Sequence, residues 1–315
     1  MFAEISYTVR ILASASLLCL FLNGCREQRE KGPDVDDLRP KQEFYIGISP
    51  ERNIFNQRER FAPLAEYLSQ KLNIQVELRM SAAYANLIDN LRSGELDAAF
   101  LGSFNGALAV KKLEAQPLVR PLDVNGTSTY RGLIFVRKDS GIATAQDMKG
   151  KSFVFVDKST TAGWLFPLHF FKANGIDEPL SWLGETYFAG THEDAILDVL
   201  NNKAVIGAAK DTIFYHFAEK EQRVLRELVI LANSPPVPEN TLIVSRETDA
   251  SLTKRLQETL LAMHQDKEGL QVLEKFGAEK FIETSAGDYE PVFEYAKEVG
   301  VDLATYENRE IFTGK

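Results

Sequence analysis

The sequence predicts an α/β fold in two lobes, with mostly parallel sheets covered by helices and two chain crossings between the lobes. Three observations carry this expectation. From Phe44 onward, short apolar runs alternate with stretches of helical spacing, the rhythm of strand–helix–strand units. The 315 residues suit about two domains at roughly 150 residues each. Turn-rich or proline-rich punctuation falls near 125–131 and 234–239, so an inserted second block would be followed by a segment that returns to the first. One large α/β domain with a long loop is the alternative left open.

The chain begins with an address. Residues 11–22 (ILASASLLCLFL) are apolar or small, too short to span a bilayer as a helix but right for the apolar region of a signal peptide. The run ends in Leu22-Asn23-Gly24-Cys25, which resembles the bacterial lipobox, where the cysteine is lipidated and becomes the new N-terminus. A signal peptide over 1–24, lipidation at Cys25 and a polar tether over 25–43 containing Pro33 and Pro40 are expected. An ordinary secretory signal with an incidental cysteine is the other reading. The expected location is the bacterial cell envelope: exported, lipid-anchored, and facing the periplasm or the cell exterior.

In the first block, FYIGI (44–48) and IQVEL (74–78) read as strands around a helix that places Phe61, Leu64, Ala65, Leu68 and Leu72 on one face. A helix over 83–93, a strand over 97–101 and a helix from about 104 follow. The second block opens at Leu133-Ile134-Phe135-Val136. It continues with strands at 152–156, 182–188, 204–208 and 228–232, and helices near 163–174, 192–201 and 211–221. Ser234-Pro235-Pro236-Val237-Pro238 reads as a stiff connector, because proline fixes φ and removes a donor. The final segment offers a strand at 241–245 and helices near 248–264, 267–276 and 288–299. These blocks place lobe 1 at 44–129 with 238–315, and lobe 2 at 130–237.

Charge and composition exclude several function classes. The net charge of −9 without a basic stripe disfavours nucleic acid and anionic lipid surfaces. The only cysteines, Cys19 and Cys25, precede the fold, which rules out a disulfide scaffold, a cysteine zinc site and thiol catalysis in the body. Four histidines lack metal-ligand spacing. Gly150-Lys151-Ser152 precedes a strand, whereas a phosphate loop follows one. No nucleophile elbow, dinucleotide fingerprint or paired-histidine zinc motif occurs. A binding protein without cofactor or metal is therefore expected, and not an enzyme.

Three loop-to-helix junctions carry the candidate chemistry. Ser159, Thr160 and Thr161 follow a strand and open a helix, where unpaired amides and the positive dipole end favour an anion. A plain N-cap would need only one hydroxyl. His192, after Gly190-Thr191, opens another helix and can donate to an anion or merely cap the surface. Ser103, Phe104 and Asn105, after Leu101-Gly102, lie at the carboxyl end of a first-block strand, where open α/β sheets hold their ligands.

The order of these motifs resembles the phosphate/phosphite/phosphonate group of ABC-transporter substrate-binding proteins. The resemblance runs from about 44 to 285. It rests on YRGLIFVRKDSGI (130–142), Asp147-Met148-Lys149-Gly150-Lys151, Asp157-Lys158-Ser159-Thr160-Thr161-Ala162-Gly163, Thr191-His192-Glu193, Val205-Ile206-Gly207-Ala208 and Ser234-Pro235-Pro236-Val237-Pro238. It implies a type 2 periplasmic-binding-protein fold that closes over a small anionic ligand and a membrane permease as partner. Three departures are noted: Ala162 as an insertion after the hydroxyl triplet, Val205 where relatives carry an acid, and Gly106 where many carry an aromatic, which would widen the pocket. A ligand sensor acting on a signalling partner, and a binder of a different small organic solute, are the alternative functions.

Overall fold

The structure, a computed structural model, describes residues 42–307. The expected signal peptide, Cys25 and the tether up to Lys41 lie outside the described residues, as does the chain after Glu307. In the first block β1 (Glu43–Ile48) leads to α1 (Ile54–Leu72), β2 (Gln75–Met80), α2 (Tyr84–Ser93), β3 (Ala98–Leu101), α3 (Ser103–Leu113) and β4 (Gln116–Leu122). The Asn53 side chain caps α1 by accepting from the Phe55 N–H at 2.9 Å, and Asn73 ends it in a left-handed conformation. The five apolar positions expected on one face of α1 are all buried.

The chain crosses at β5 (Thr129–Tyr130) and builds β6 (Gly132–Arg137), β7 (Phe153–Phe155) and a π turn over Thr161–Leu165. Then come α4 (Phe166–Ala173), α5 (Pro179–Trp182), β8 (Thr186–Phe188), α6 (His192–Leu200), β9 (Ile206–Lys210), α7 (Asp211–Lys220), α8 (Arg223–Glu227) and β10 (Leu228–Asn233). It returns through β11 (Val237–Pro238) to β12 (Thr241–Val244), α9 (Ala250–Ala262), α10 (Lys267–Phe276), β13 (Lys280–Glu283) and α11 (Glu290–Glu298).

One sheet has the order β13-β4-β12-β3-β1-β2 and the other β10-β6-β9-β7-β8. Apolar clusters cover each, one built around Phe44, Phe61 and Phe100, another around Phe135, Val154 and Phe214. Burying a large apolar side chain contributes about 1.5–3 kcal/mol. Both sheets are mixed, with less parallel pairing than the alternating rhythm predicts. Only the β2-β1-β3 and β8-β7-β9 runs are parallel. Strands that enter after a crossing or a direct return, such as β12 beside β3 and β6 beside β9, pair antiparallel.

Three further differences concern proline. β4 has no counterpart in the strands expected from the sequence, and it carries Pro117 and Pro121, which suit a central strand poorly. Pro117 is accommodated where the register against β12 shifts between Leu242 and Ile243. In the stretch expected to be a connector, Val237 and Pro238 pair with Tyr130 and Thr129, so the two crossings run side by side as a short ribbon. The strand expected over 182–188 is confined to 186–188, because Pro179–Trp182 turns as α5.

Candidate ligand-binding site

After β7, Asp157 shapes the loop. Its carboxylate accepts from the Ser159 N–H at 2.7 Å, and its carbonyl accepts from the Thr160 N–H at 3.1 Å and the Thr160 hydroxyl at 2.6 Å. The Thr160 hydroxyl is thus committed to the turn. The Leu165 N–H reaches back to the Thr160 carbonyl at 3.1 Å, which widens the first turn into the π form. Its leading amides have no acceptor within the helix. Gly163 lies against the strand: a Cβ there would stand 2.4 Å from the Val156 Cβ. Ala162 is buried among Phe104, Leu165 and Tyr130, where no polar partner is needed.

His192 stands first in α6, after Gly190 with its φ of 85° and the N-cap Thr191, whose hydroxyl accepts from the Asp194 N–H. Capping therefore falls to Thr191. The His192 ring is 3% exposed, and its Nδ1 accepts from the Lys210 backbone N–H at 3.2 Å. The ring proton consequently sits on Nε2, as a donor. Burial, reinforced by the Lys210 charge, lowers its pKa from 6.5 to about 3, so the ring is neutral.

This has a consequence for acid stability. With a folded pKa below the unfolded one, the stabilisation is complete above about 6.5 and is lost as pH falls from there toward 3. The slope is about 1.4 kcal/mol per pH unit. Urea unfolding of His192→Gln should show a smaller loss of stability between about pH 7 and about pH 5 than the native protein; parallel losses would contradict the neutral, buried ring.

From the other lobe, the Ser103 hydroxyl meets the Thr161 hydroxyl at 2.6 Å and the Tyr130 hydroxyl at 2.7 Å. The Asn105 amide donates to the Tyr84 carbonyl at 2.8 Å. The Tyr84 ring sits edge-on to His192 with centroids 6.5 Å apart. The Tyr84 hydroxyl and Asn105 Oδ1 are buried without a hydrogen-bond partner, a costly state for groups that a ligand can satisfy. Burial, with the Glu51 and Asp157 charges, pushes the Tyr84 pKa well up, so the phenol keeps its proton.

Phe104 behaves differently from its neighbours. Its ring is fully buried and packs edge-on against Tyr306, with centroids 5.1 Å apart. Gly106 does not widen the pocket: the Tyr289 ring fills the space, lying 2.5 Å from where a Cβ would be. Val205 lies just before β9, packed in the second lobe's own core, and its N–H donates to Ser152.

Beneath the cluster lies a group that the sequence reading missed. Lys210, 1% exposed, donates to Glu51 at 3.1 Å, to Asn240 at 3.2 Å and to Glu239, and its Nζ stands 4.4 Å from the Tyr130 ring centre. Burial alone would lower the Lys210 pKa, but the Glu239 and Glu51 carboxylates outweigh it and hold the ammonium charged. Its sequence signal was a charge ending the buried strand IGAA (206–209). Tyr84 and Tyr130 were also missed. Together the contacts link Thr161, Ser103, Tyr130, Lys210, His192, Tyr84 and Asn105 in one series. The lobes also touch through the Asn53 N–H on Glu193 at 3.2 Å and the Tyr306 hydroxyl on the Lys158 carbonyl at 2.8 Å. Among the described residues no group of His, Cys, Asp and Glu could hold a metal ion. The uncharged hydroxyl, phenol and imidazole groups of this series, with the amides that open the π turn, suit the binding of an anion.

Comparison with known proteins agrees with this architecture. The chain is 23% identical over 256 residues to the phosphonates-binding periplasmic protein of Escherichia coli, covering 80% of this chain and 75% of that one. It is 20% identical over 266 residues to a probable ABC transporter phosphite-binding protein of Prochlorococcus marinus, covering 81% and 89%. Among solved structures, the binding component of an ABC phosphonate transporter from Pseudomonas aeruginosa superposes with a TM-score of 0.76 at 21% identity, over 82% of this chain and 87% of that one. A Prochlorococcus marinus protein in complex with methylphosphonate gives 0.73 at 18% identity, over 83% and 99%. Both share the type 2 periplasmic-binding-protein fold. The family model of periplasmic phosphonate substrate-binding proteins of ABC transporters matches residues 46–289, and the chain belongs to that family.

Proposed function

We propose that the protein captures a small phosphorus oxyanion, of the phosphonate, phosphite or phosphate class, between its lobes and presents the closed form to an ABC permease. In this reading residues 44–129 with 238–315 close against 130–237 about the β5–β11 ribbon. The observation that carries it is the neutral His192 ring, whose Nε2–H is left as a donor by the Lys210 N–H on Nδ1. The Thr161 turn amides and His192 would hold the oxyanion, with Thr161, Ser103 and Tyr84 adding hydroxyl donors and Asn105 ordering the first-lobe wall. Ser159 and Thr160 shape the loop around Asp157. Such a site discriminates through matched donors, since an unmatched buried donor costs about 1–3 kcal/mol. Relatives named for phosphonate, phosphate and phosphite support the ligand class.

Family membership makes this an exported envelope protein, and no helix among the described residues is long and apolar enough to cross a membrane. Anchoring through a lipid on Cys25, after removal of 1–24, is part of the proposal. Thermal unfolding tests the ligand class: phosphonate, phosphite or phosphate should raise the midpoint, while sulfate and taurine should not. No shift with any phosphorus oxyanion would refute it.

A further inference from the structure

On the far side of the Glu51–Lys210–Glu239 cluster a groove of about 740 Å³ opens between the lobes. Arg52 and Arg60 line it from the first lobe, and His216 and Lys220 from the second. Arg60 is aimed: its Nε donates to the Phe276 carbonyl at 2.7 Å and its guanidinium lies 4.3 Å from the Phe276 ring centre, leaving the forked end uncommitted. Arg52 Nε is buried without a hydrogen-bond partner. Among the described residues neither guanidinium is paired with a carboxylate. The two repel each other: burial, then Arg52, pulls the Arg60 pKa down to about 10.

Glu59, Asp123 and Glu274 also line the groove, together with Lys275. The His216 pKa is lowered by burial and then by the Arg52 and Lys220 charges, with Glu219 opposing. Glu51 and Glu239 bond to Lys210, and their charges also act on Arg60, opposing the effect of burial and Arg52. Arg60 beyond its Nε bond and Arg52 at its Nε keep donors to spare, and together they form a receptor for an anionic group with planar or tetrahedral oxygens.

Lys210 ties this groove to the oxyanion site. Its backbone N–H holds His192, and its Nζ stands at the groove wall. The two places are one lysine side chain apart. We infer that the groove receives a second anionic group of the same ligand, so that the substrate class is a phosphonate bearing a carboxylate or second phosphoryl group at the end of a short carbon chain. This rests on the proposed oxyanion site. The oxyanion sits at His192 and Thr161, and the tail runs along the Lys210 cluster to Arg52 and Arg60.

Calorimetric titration of the protein with methylphosphonate, butylphosphonate and 4-phosphonobutyrate tests the inference. 4-Phosphonobutyrate should bind about tenfold or more tightly than butylphosphonate, the scale of one charge-assisted hydrogen bond. Arg52→Gln, whose parent side chain makes no internal hydrogen bond at Nε, should erase that preference and leave methylphosphonate affinity unchanged. Equal affinity for the two four-carbon ligands would overturn the second site while methylphosphonate binding upholds the first. An equal weakening of all three ligands by Arg52→Gln would also overturn it. Absence of binding by every phosphonate would refute both sites.

Discussion

Replacing Lys210 with methionine is expected to lower the unfolding free energy by about 3–5 kcal/mol, read as a fall in the urea midpoint at constant slope. The ammonium is 1% exposed and Glu51 is 4% exposed, so its loss leaves carboxylates in the interior with no cation. The direction of the Glu51 pKa shift agrees. Burial raises it, but Lys210 more than compensates and holds it below its ordinary value. Adding Glu51→Gln and Glu239→Gln to the methionine variant should recover part of the loss, because the uncompensated charges then disappear. A change below about 1 kcal/mol, the scale of an exposed ion pair, would contradict the buried cluster.

The second large effect concerns affinity. Thr161→Val and His192→Ala should each weaken binding of the preferred phosphorus oxyanion by about 1–3 kcal/mol, roughly 5- to 150-fold. Thr160→Val should instead lower stability with little effect on affinity, since its hydroxyl already donates to the Asp157 carbonyl. Titration calorimetry and urea unfolding of the three variants separate these outcomes. Equal affinity losses at 160 and 161 would mean that the loop acts only as a structural unit.

Legibility in the sequence followed the range of the interactions. Strand and helix periodicities, the hydroxyl-rich loop after β7 and the helix-opening His192 depend on neighbours within a few residues, and all could be read. The proline-bearing β4 could not, because its tolerance of Pro117 depends on a register shift against β12, which is distant in sequence. The protonated nitrogen of His192 is set by a backbone amide 18 residues later. The edge-on contact of Phe104 with Tyr306 could not be read either, because the two are distant in sequence. Lys210 looked like a strand end until Glu51 and Glu239, from the other lobe and the returning crossing, surrounded it. Ala162 is buried in an apolar cluster with Phe104 and Tyr130, which are distant in sequence.

The account stands most directly on where an oxyanion sits. A crystal structure of the protein grown with methylphosphonate should place phosphonate oxygens within hydrogen-bond distance of His192 Nε2, the Thr161 hydroxyl and the amides that open its turn. A phosphonate bound away from His192 and Thr161, or an unoccupied cleft at saturating ligand, would contradict it.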